Sequence, residues 1–183
     1  DLQAGLRTTC ALLDDDIIKC WGGNTHGELG RGFMTPSFAT GDAMAAIDFG
    51  TGRTVERMTF GGAQGCAMLD DGTVKCWGSN YNGQIAAGSL DDRGDGPGQL
   101  GDAWPAVDLG DRTVADFSAG VDHTCFVFDD ASVACFGLGL YGALGTGDTE
   151  GRGSRATHLG AGVLTAGLNC VCAEGFEGGA GGE

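Results

Sequence analysis

The sequence has few basic residues and no long apolar run. Ten Lys and Arg stand against 25 Asp and Glu among 183 residues, which gives a formal net charge of −15. Proteins bind nucleic acid through basic residues that replace the counterions of the phosphates, so this balance argues against nucleic acid and anionic membrane as partners. No apolar run reaches the length of about eighteen residues that a bilayer requires, so we expect no direct membrane insertion. No signal peptide is recognisable, and we expect any targeting segment to have been removed or to lie outside this sequence.

The sequence also lacks recognisable catalytic motifs. Its three histidines, His26, His123 and His158, stand in three different sequence contexts. There is no Gly-x-Ser-x-Gly elbow and no paired Cys-His signature. The glycine-rich stretches are not followed by the Gly-Lys-Ser/Thr of a phosphate loop. We therefore predict a protein that is not an enzyme, with no catalytic residues, no bound metal and no cofactor.

What the sequence does contain is a cysteine pair that recurs three times in one frame. The three stretches are CALLDDDIIKCWG from Cys10, CAMLDDGTVKCWG from Cys66 and CFVFDDASVACFG from Cys125. A glycine stands five residues before the first cysteine of each pair, and Gly167 before Cys172 begins a fourth, truncated unit. Such self-similarity predicts a repeat architecture. We place the repeats at residues 1–60, 61–119 and 120–166, with the truncated unit and a glycine-rich tail at 167–183.

Each pair is predicted to close a β-hairpin. Short apolar runs flank an acidic turn, and Gly72 suits the left-handed position of a three-residue loop. Asp16 and Ala131 replace that glycine in the other two units, so we expect more strain in those turns. In this register Cys66 faces Cys76, and directly opposed Cα atoms lie roughly 4.5–5.5 Å apart, within reach of a disulfide. We predict disulfides in all three units, Cys10–Cys20, Cys66–Cys76 and Cys125–Cys135.

Two alternatives to the disulfides remain open. The cysteines would also serve, when reduced, as small buried apolar residues. A zinc site is a weaker interpretation, because zinc ligands stand two to four residues apart and in sets of four. Disulfides would indicate an oxidising compartment outside the cytosol. Cys170 and Cys172 are separated by one residue, which disfavours a mutual disulfide, so we treat them as unpaired or as interchain candidates.

The repeat resembles the regulator of chromosome condensation family, and in particular its cysteine-bearing extracellular branch. The resemblance is carried by HTCFVFDD, LDDGTVKCWG, GELGRG, GALGTG and DDRGDGPGQLGDAWPAVDLG, and it extends to about Gly167. It implies an all-β fold, a β-propeller whose blades have four antiparallel strands. About three blades and a truncated fourth would form an incomplete ring. The resemblance thus implies partners in the form of other protein chains, or neighbouring copies, that complete the propeller.

Three further residues are candidates for interaction. Arg93 and Asp95 belong to an Arg-Gly-Asp tripeptide, for which a turn within the repeat is the competing interpretation. Trp104 occurs once and is a candidate for an exposed loop residue that anchors a contact. Trp21, Trp77 and Phe136 recur at equivalent places and are predicted to pack between blades. The acidic pairs at the hairpin tips suit turn formation better than calcium binding.

The sequence therefore favours an extracellular structural or interaction module, part of a larger cell-surface protein or filament. A secreted inhibitor or ligand-binding propeller is the first alternative. Guanine nucleotide exchange, the role of the family's founding member, is the second, and the negative charge and the expected disulfides oppose it.

Overall fold

The computed structural model describes residues 1–39, 41–160 and 165–166. The predictions for Gly167, Cys170, Cys172 and the glycine-rich tail fall outside these residues. None of the helices in the described ranges is long and apolar enough to cross a membrane.

The described chain forms three antiparallel sheets. The first sheet contains β1 (Leu2–Ala4), β2 (Thr8–Leu12) and β3 (Ile18–Gly22); the second contains β4 (Val55–Phe60), β5 (Gln64–Leu69) and β6 (Val74–Gly78); the third contains β7 (Val114–Ala119), β8 (His123–Phe128), β9 (Val133–Gly137) and β10 (Thr165–Ala166). The helical elements are four short 3-10 turns at Gly41–Ala43, Gly101–Ala103, Leu140–Gly142 and Ala156–His158. The all-β prediction is therefore confirmed.

The third sheet has the four strands expected of a propeller blade. In the other two sheets a short extended segment takes the fourth place, bonding through Ile47 N to Ile18 O at 2.9 Å and through Val107 N to Val74 O at 2.8 Å. The sheets are offset from the sequence repeats, because β4 and β7 precede the boundaries at residues 61 and 120 but pair with the strands that follow. The second and third sheets thus each begin in one sequence repeat and continue in the next.

The hairpin register is the one that the spacing predicts. Cys10, Cys66 and Cys125 stand opposite Cys20, Cys76 and Cys135. At the turns, Gly72 has φ of 78°, and Asp16 and Ala131 adopt φ of 60° and 62°. The last two are non-glycine residues in the left-handed region, so these turns carry the strain that the sequence indicated.

The core lies between successive sheets. We call the side of a sheet that faces the preceding sheet its leading side, and the opposite side its trailing side. Between the first two sheets lies one buried apolar cluster: Cys10, Ile18, Cys20, Leu29, Ile47, Phe49, Val55, Met58, Phe60, Ala67, Leu69, Trp77 and Trp104. Between the second and third sheets lies the other: Cys66, Met68, Val74, Cys76, Ile85, Ala86, Leu109, Val114, Phe117, Phe126, Phe128, Ala134 and Phe136. The sheets therefore stack as propeller blades.

The repeated glycine before each cysteine pair allows neighbouring blades to approach. A Cβ on Gly5 would overlap the carbonyl oxygen of Gly61, and a Cβ on Gly61 would overlap that of Gly120. Gly62 N also donates to Gly120 O at 3.1 Å, which joins the second sheet to the third. Only glycine leaves space for this contact, so its recurrence is explained by packing.

The strands β1, β4 and β7 are neighbours at the inner edges of the sheets. Ala119 N donates to Thr59 Oγ1 at 3.1 Å, and Arg57 Nη1 donates to Ala115 O at 2.7 Å. Three sheets do not close a ring. Within the described residues, no sheet covers the leading side of the first sheet or the trailing side of the third.

Candidate interaction surfaces

Three disulfides join the opposed cysteines of the hairpins: Cys10–Cys20, Cys66–Cys76 and Cys125–Cys135. The Cα atoms of the pairs are 4.1, 4.0 and 4.0 Å apart, which is shorter than the roughly 4.5 Å typical of opposed, non-hydrogen-bonded residues in an antiparallel ladder. The predicted pairing is present in full, and the alternative of reduced cysteines does not describe this structure. Each disulfide lies on the trailing side of its sheet, where the first two are covered by the next sheet.

The Arg-Gly-Asp tripeptide is a packing element between the first and second sheets. Arg93 forms a backbone bridge with Gly78, and Gly94 is buried. Gly32 N donates to Gly94 O at 2.9 Å. A Cβ on Gly27 would overlap this segment, so the loop of the first sheet rests directly on the tripeptide. Burial lowers the pKa of the Arg93 guanidinium below its ordinary value.

The third sheet repeats this arrangement without an aspartate. Arg152 bridges Gly137, and Gly153 packs against Gly83 of the preceding sheet. The same Arg-Gly pair therefore joins blades twice, and in the second case Ser154 follows. This recurrence favours the structural interpretation of Arg93 and Asp95 over an adhesion motif.

The expected exposure of Trp104 is wrong. Trp104 is 2% exposed and stacks on Phe49 with ring centroids 5.2 Å apart, while its contact with Trp77 is edge-on at 6.1 Å. The 3-10 turn Gly101–Ala103 folds the chain back, with Trp104 N donating to Gly101 O at 3.2 Å, so the indole enters the core between the first two sheets. The stretch GDAM at 41–44 echoes GDAW at 101–104, and this was the signal that Trp104 belongs to the repeat.

The leading side of the second sheet shows how one blade docks on another. Trp77 is fully buried, and its Nε1 donates to the carbonyl oxygen of Glu28 in the first unit at 2.8 Å. Lys75 is also buried, and its Nζ donates to Phe49 O at 2.7 Å and to Gly101 O at 3.1 Å. Burial lowers the pKa of Lys75, and the nearby carboxylates of Asp102 and Asp48 oppose this shift. Docking therefore combines apolar burial with two donors aimed at backbone carbonyls.

The equivalent residues of the first sheet are only half-buried. Trp21 and Lys19 occupy the places of Trp77 and Lys75, and Ala11 occupies the place of Ala67. The packing role predicted for the recurring aromatic residues is visible for Trp77 and Phe136, which are 0% and 1% exposed. For Trp21, no described residue provides the same cover.

The trailing side of the third sheet is the second surface of this kind. Cys125, Val127 and Val133 are half-buried, whereas Cys66, Met68 and Val74, at the same places in the second sheet, are buried under the third. Among the described residues, these two sides thus leave half-buried the apolar positions that are buried where a neighbouring sheet is present.

A small cavity of about 210 Å³ opens where the β3–β4 and β6–β7 connections approach the inner edges of the sheets. Leu6, Tyr81 and Val121 line it, and each is more than half exposed. The Tyr81 hydroxyl donates to Asp122 Oδ1 at 2.9 Å, and this hydrogen bond raises the pKa of Tyr81. His26 also lines the cavity, and its Nδ1 lies 2.8 Å from Asp92 Oδ2.

The acidic hairpin tips lie at the opposite end of the sheets. Thr73 donates through its hydroxyl and its backbone nitrogen to Asp71, and these bonds lower the pKa of Asp71. The Ser132 backbone nitrogen donates to Asp130 Oδ1 at 2.8 Å, and hydrogen bonding by Ser132 lowers the pKa of Asp130. Arg53 contacts both Asp70 and Asp71. In the described part of the chain, no group of three or more His, Cys, Asp or Glu residues is arranged to hold a metal ion.

The comparisons with known proteins agree with this architecture. The family model described as "Regulator of chromosome condensation (RCC1) repeat" matches residues 1–28 and 59–84. The Probable E3 ubiquitin-protein ligase HERC6 of Homo sapiens is 33% identical over 83% of this chain, and the Ultraviolet-B receptor UVR8 of Arabidopsis thaliana is 30% identical over 74%. The chain spans only 14% of the length of the first relative and 28% of the second.

Solved structures show the same fold. The crystal structure of Prp20p from Saccharomyces cerevisiae superposes with a TM-score of 0.61 and 16% identity, covering 82% of this chain and 36% of that one. Yeast RCC1 (Prp20) bound to Kap60 gives a TM-score of 0.52 and 19% identity, covering 75% and 29%. The three sheets are thus blades of a β-propeller, a fold suited to protein–protein interaction. Residues 1–28 and 59–84 thus match the regulator of chromosome condensation repeat, and the described chain folds as blades of an RCC1-repeat β-propeller.

Proposed function

We propose that the protein is an extracellular protein–protein interaction module, a set of propeller blades that works within a larger cell-surface protein or a filament. The observation that carries this proposal is the disulfide that recurs at one place in all three blades. Disulfides form and persist in oxidising compartments and are rare in the cytosol. Three of them, each joining neighbouring strands of a hairpin, stabilise the individual blades without requiring a closed ring.

The uncovered sides of the first and third sheets supply the interaction surfaces. Trp21 on one side and Val127 and Val133 on the other are apolar residues that neighbouring blades would bury. The proposed role is structural rather than catalytic, because the three histidines lie apart. His26 pairs with Asp92, and His158 accepts a hydrogen bond from Gly153 N at 3.2 Å. His123 is the first residue of β8, and its ring lies against Gly120. The chain covers 14% of the length of the ligase relative HERC6, and the ligase activity in that relative's name is not part of this proposal.

A direct test is immunolabelling of source cells with an antibody to this chain, before and after permeabilisation. The proposal predicts equal labelling in both conditions, together with recovery of a partner protein from the intact surface by cross-linking. Labelling that appears only after permeabilisation, with the six paired cysteines recovered as free thiols, would remove the extracellular proposal.

A second candidate is a ligand-binding or inhibitory propeller that acts through the cavity lined by Leu6, Tyr81 and Val121. The specific observation is that three exposed apolar side chains surround a pocket with the Tyr81–Asp122 hydrogen bond on its rim. Substituting Leu6 and Val121 with Ser should abolish partner recovery under this alternative and leave it intact under the first. Loss of partner recovery in this variant would therefore favour binding at the cavity, and unchanged recovery would favour the first proposal.

A further inference from the structure

The cavity of about 210 Å³ described above, called here the Tyr81 cavity, lies where all three blades meet. His26 reaches it from the first blade, Gly62 and Ala63 line it from the second, and Asp122 lines it from the third. Two contacts between blades border it. One joins His26 to Asp92, and the other joins Tyr81 to Asp122. Both contacts lie inside the described chain, so these three blades suffice to form the cavity.

Tyr81 is exposed even though its blade has a neighbour on each side. The second sheet packs on the first through one apolar cluster and on the third through the other. Trp77 of the same sheet is fully buried, whereas Tyr81 remains 57% exposed. The hydrogen bond from its hydroxyl to Asp122 Oδ1, at 2.9 Å, holds the side chain in place. The cavity therefore contains an accessible aromatic ring, which attracts cations through its electron-rich face.

Carboxylates outnumber basic side chains around the Tyr81 cavity. Asp122 and Glu28 line it, and Arg7 is the one lysine or arginine among the described residues that do so. Tyr81 bonds to Oδ1 of Asp122, and Oδ2 has no hydrogen-bond partner among the described residues. The hydrogen bond to Asp122 is the main cause that raises the pKa of Tyr81, and the negative charge of Asp92 adds to it. Two carboxylates thus act at the hydroxyl end of the ring, where a cation would be stabilised.

The size and the mouth of the cavity suit one long side chain. Its volume of about 210 Å³ is smaller than the roughly 300–1,000 Å³ typical of sites for whole small molecules. Leu6 and Val121 in its lining are more than half exposed and offer apolar surface to the stem of such a side chain. The net charge of −15 would attract a basic protein surface toward the chain.

We propose that the Tyr81 cavity binds a lysine or arginine side chain of a partner protein, with the cationic group at Asp122 and the Tyr81 ring. The apolar stem of that side chain packs against Leu6 and Val121. Charge complementarity selects this ligand, because an accessible ring and a carboxylate oxygen without a partner stand together in one small cavity. This inference rests on the second candidate function, binding through this cavity, and specifies the ligand.

The test is an NMR titration of the ¹⁵N-labelled 183-residue chain with blocked single amino acids. N-acetyl-lysine methylamide and N-acetyl-arginine methylamide supply the cation, and N-acetyl-norleucine methylamide supplies an apolar stem without charge. Asp122→Asn removes the carboxylate charge but keeps an oxygen that accepts from the Tyr81 hydroxyl. Asp15→Asn is the matched control, because it removes the same charge at an exposed hairpin tip at the opposite end of the sheets. The spectrum of each variant without probe shows first that it is folded.

Both cationic probes should shift the amide signals of Gly62, Ala63 and Asp122, with a dissociation constant on the order of a few millimolar. The norleucine probe should bind at least about fivefold more weakly, since it lacks the attraction to the ring and the carboxylate. Asp122→Asn should weaken both cationic probes by about fivefold or more, whereas Asp15→Asn should match the wild type.

Three results would overturn the proposal. The first is the absence of saturable shifts at the cavity, and the second is equal binding of the norleucine and lysine probes. The third is equal weakening by Asp122→Asn and Asp15→Asn, which would show only a general attraction to an acidic protein. If the cationic probes fail but the Leu6 and Val121 serine variant still loses its partner in cells, the second candidate function stands and only the ligand named here is wrong.

Discussion

Trp21 and Trp77 occupy the same place in successive repeats but differ in burial, so their replacement by alanine tests whether the blades stack as described. Trp77 is fully buried, contacts Phe49, Phe60 and Trp104, and donates a hydrogen bond to Glu28 O. Removing a buried Trp side chain costs about 3–5 kcal/mol. Trp21 is only half-buried, so Trp21→Ala should cost the monomer about 1 kcal/mol or less.

The free energy of unfolding is measured by urea titration followed by circular dichroism, at a protein concentration low enough to keep the chain monomeric. With a slope of about 2 kcal/mol per M, Trp77→Ala should lower the midpoint by about 1.5–2.5 M. Trp77→Phe keeps most of the apolar volume and should lose about 1–2 kcal/mol, the cost of leaving the Glu28 carbonyl without its donor. Equal losses at Trp21 and Trp77, or a loss below about 1 kcal/mol at Trp77, would refute the packing of Trp77 between the first two blades.

Other predictions concern the disulfides, the repeated glycine and the hairpin carboxylates. Replacing Cys66 and Cys76 together by Ala should lower the free energy of unfolding by about 2–3 kcal/mol, and a loss below about 1 kcal/mol in urea would show that this disulfide does not stabilise the blade. Gly61→Ala should disrupt the contact between the second and third sheets and lower the urea midpoint. The control is Gly96→Ala, whose Cβ would meet only the end of the Gln99 side chain at 3.2 Å and should leave the midpoint nearly unchanged. Equal effects of the two substitutions would contradict the close approach at Gly61. Hydrogen bonds from the Thr51 backbone and hydroxyl lower the pKa of Asp102. The Asp102 carboxylate therefore stabilises the fold at pH values above its unfolded pKa of about 3.9. This stabilisation is lost as the pH falls through the lower pKa of Asp102 in the folded protein. The difference in urea midpoint between the wild type and Asp102→Asn should accordingly be present at neutral pH and vanish in strong acid, and a constant difference would contradict this assignment.

The hairpins were predictable because their register depends on local rules. A three-residue turn with Gly72 at its last position fixes which residues oppose each other, and the period of two then places both cysteines on one side of the sheet. The burial of Trp104 was not predicted, since a single tryptophan in a loop does not reveal the 3-10 turn that folds it inward. The GDAM and GDAW stretches show in retrospect that the turn belongs to the repeat.

The Arg-Gly-Asp tripeptide illustrates a different limit of sequence reasoning. Its residues suggest recognition, and only the three-dimensional contact between Gly27 and Gly94 shows that the same Arg-Gly pair joins neighbouring blades. The role of Gly5 and Gly61 was equally hidden, because the carbonyl that excludes a side chain comes from the next blade, more than fifty residues away in the sequence.

The measurement that tests the central claim most directly is a non-reducing peptide map, by mass spectrometry, of the protein isolated from its source with thiols blocked at lysis. The extracellular proposal predicts peptides joined through Cys10–Cys20, Cys66–Cys76 and Cys125–Cys135, since blades stabilised in this way belong to an oxidising compartment. Recovery of these six cysteines as blocked free thiols would contradict the extracellular role and would place these blades in a reducing compartment.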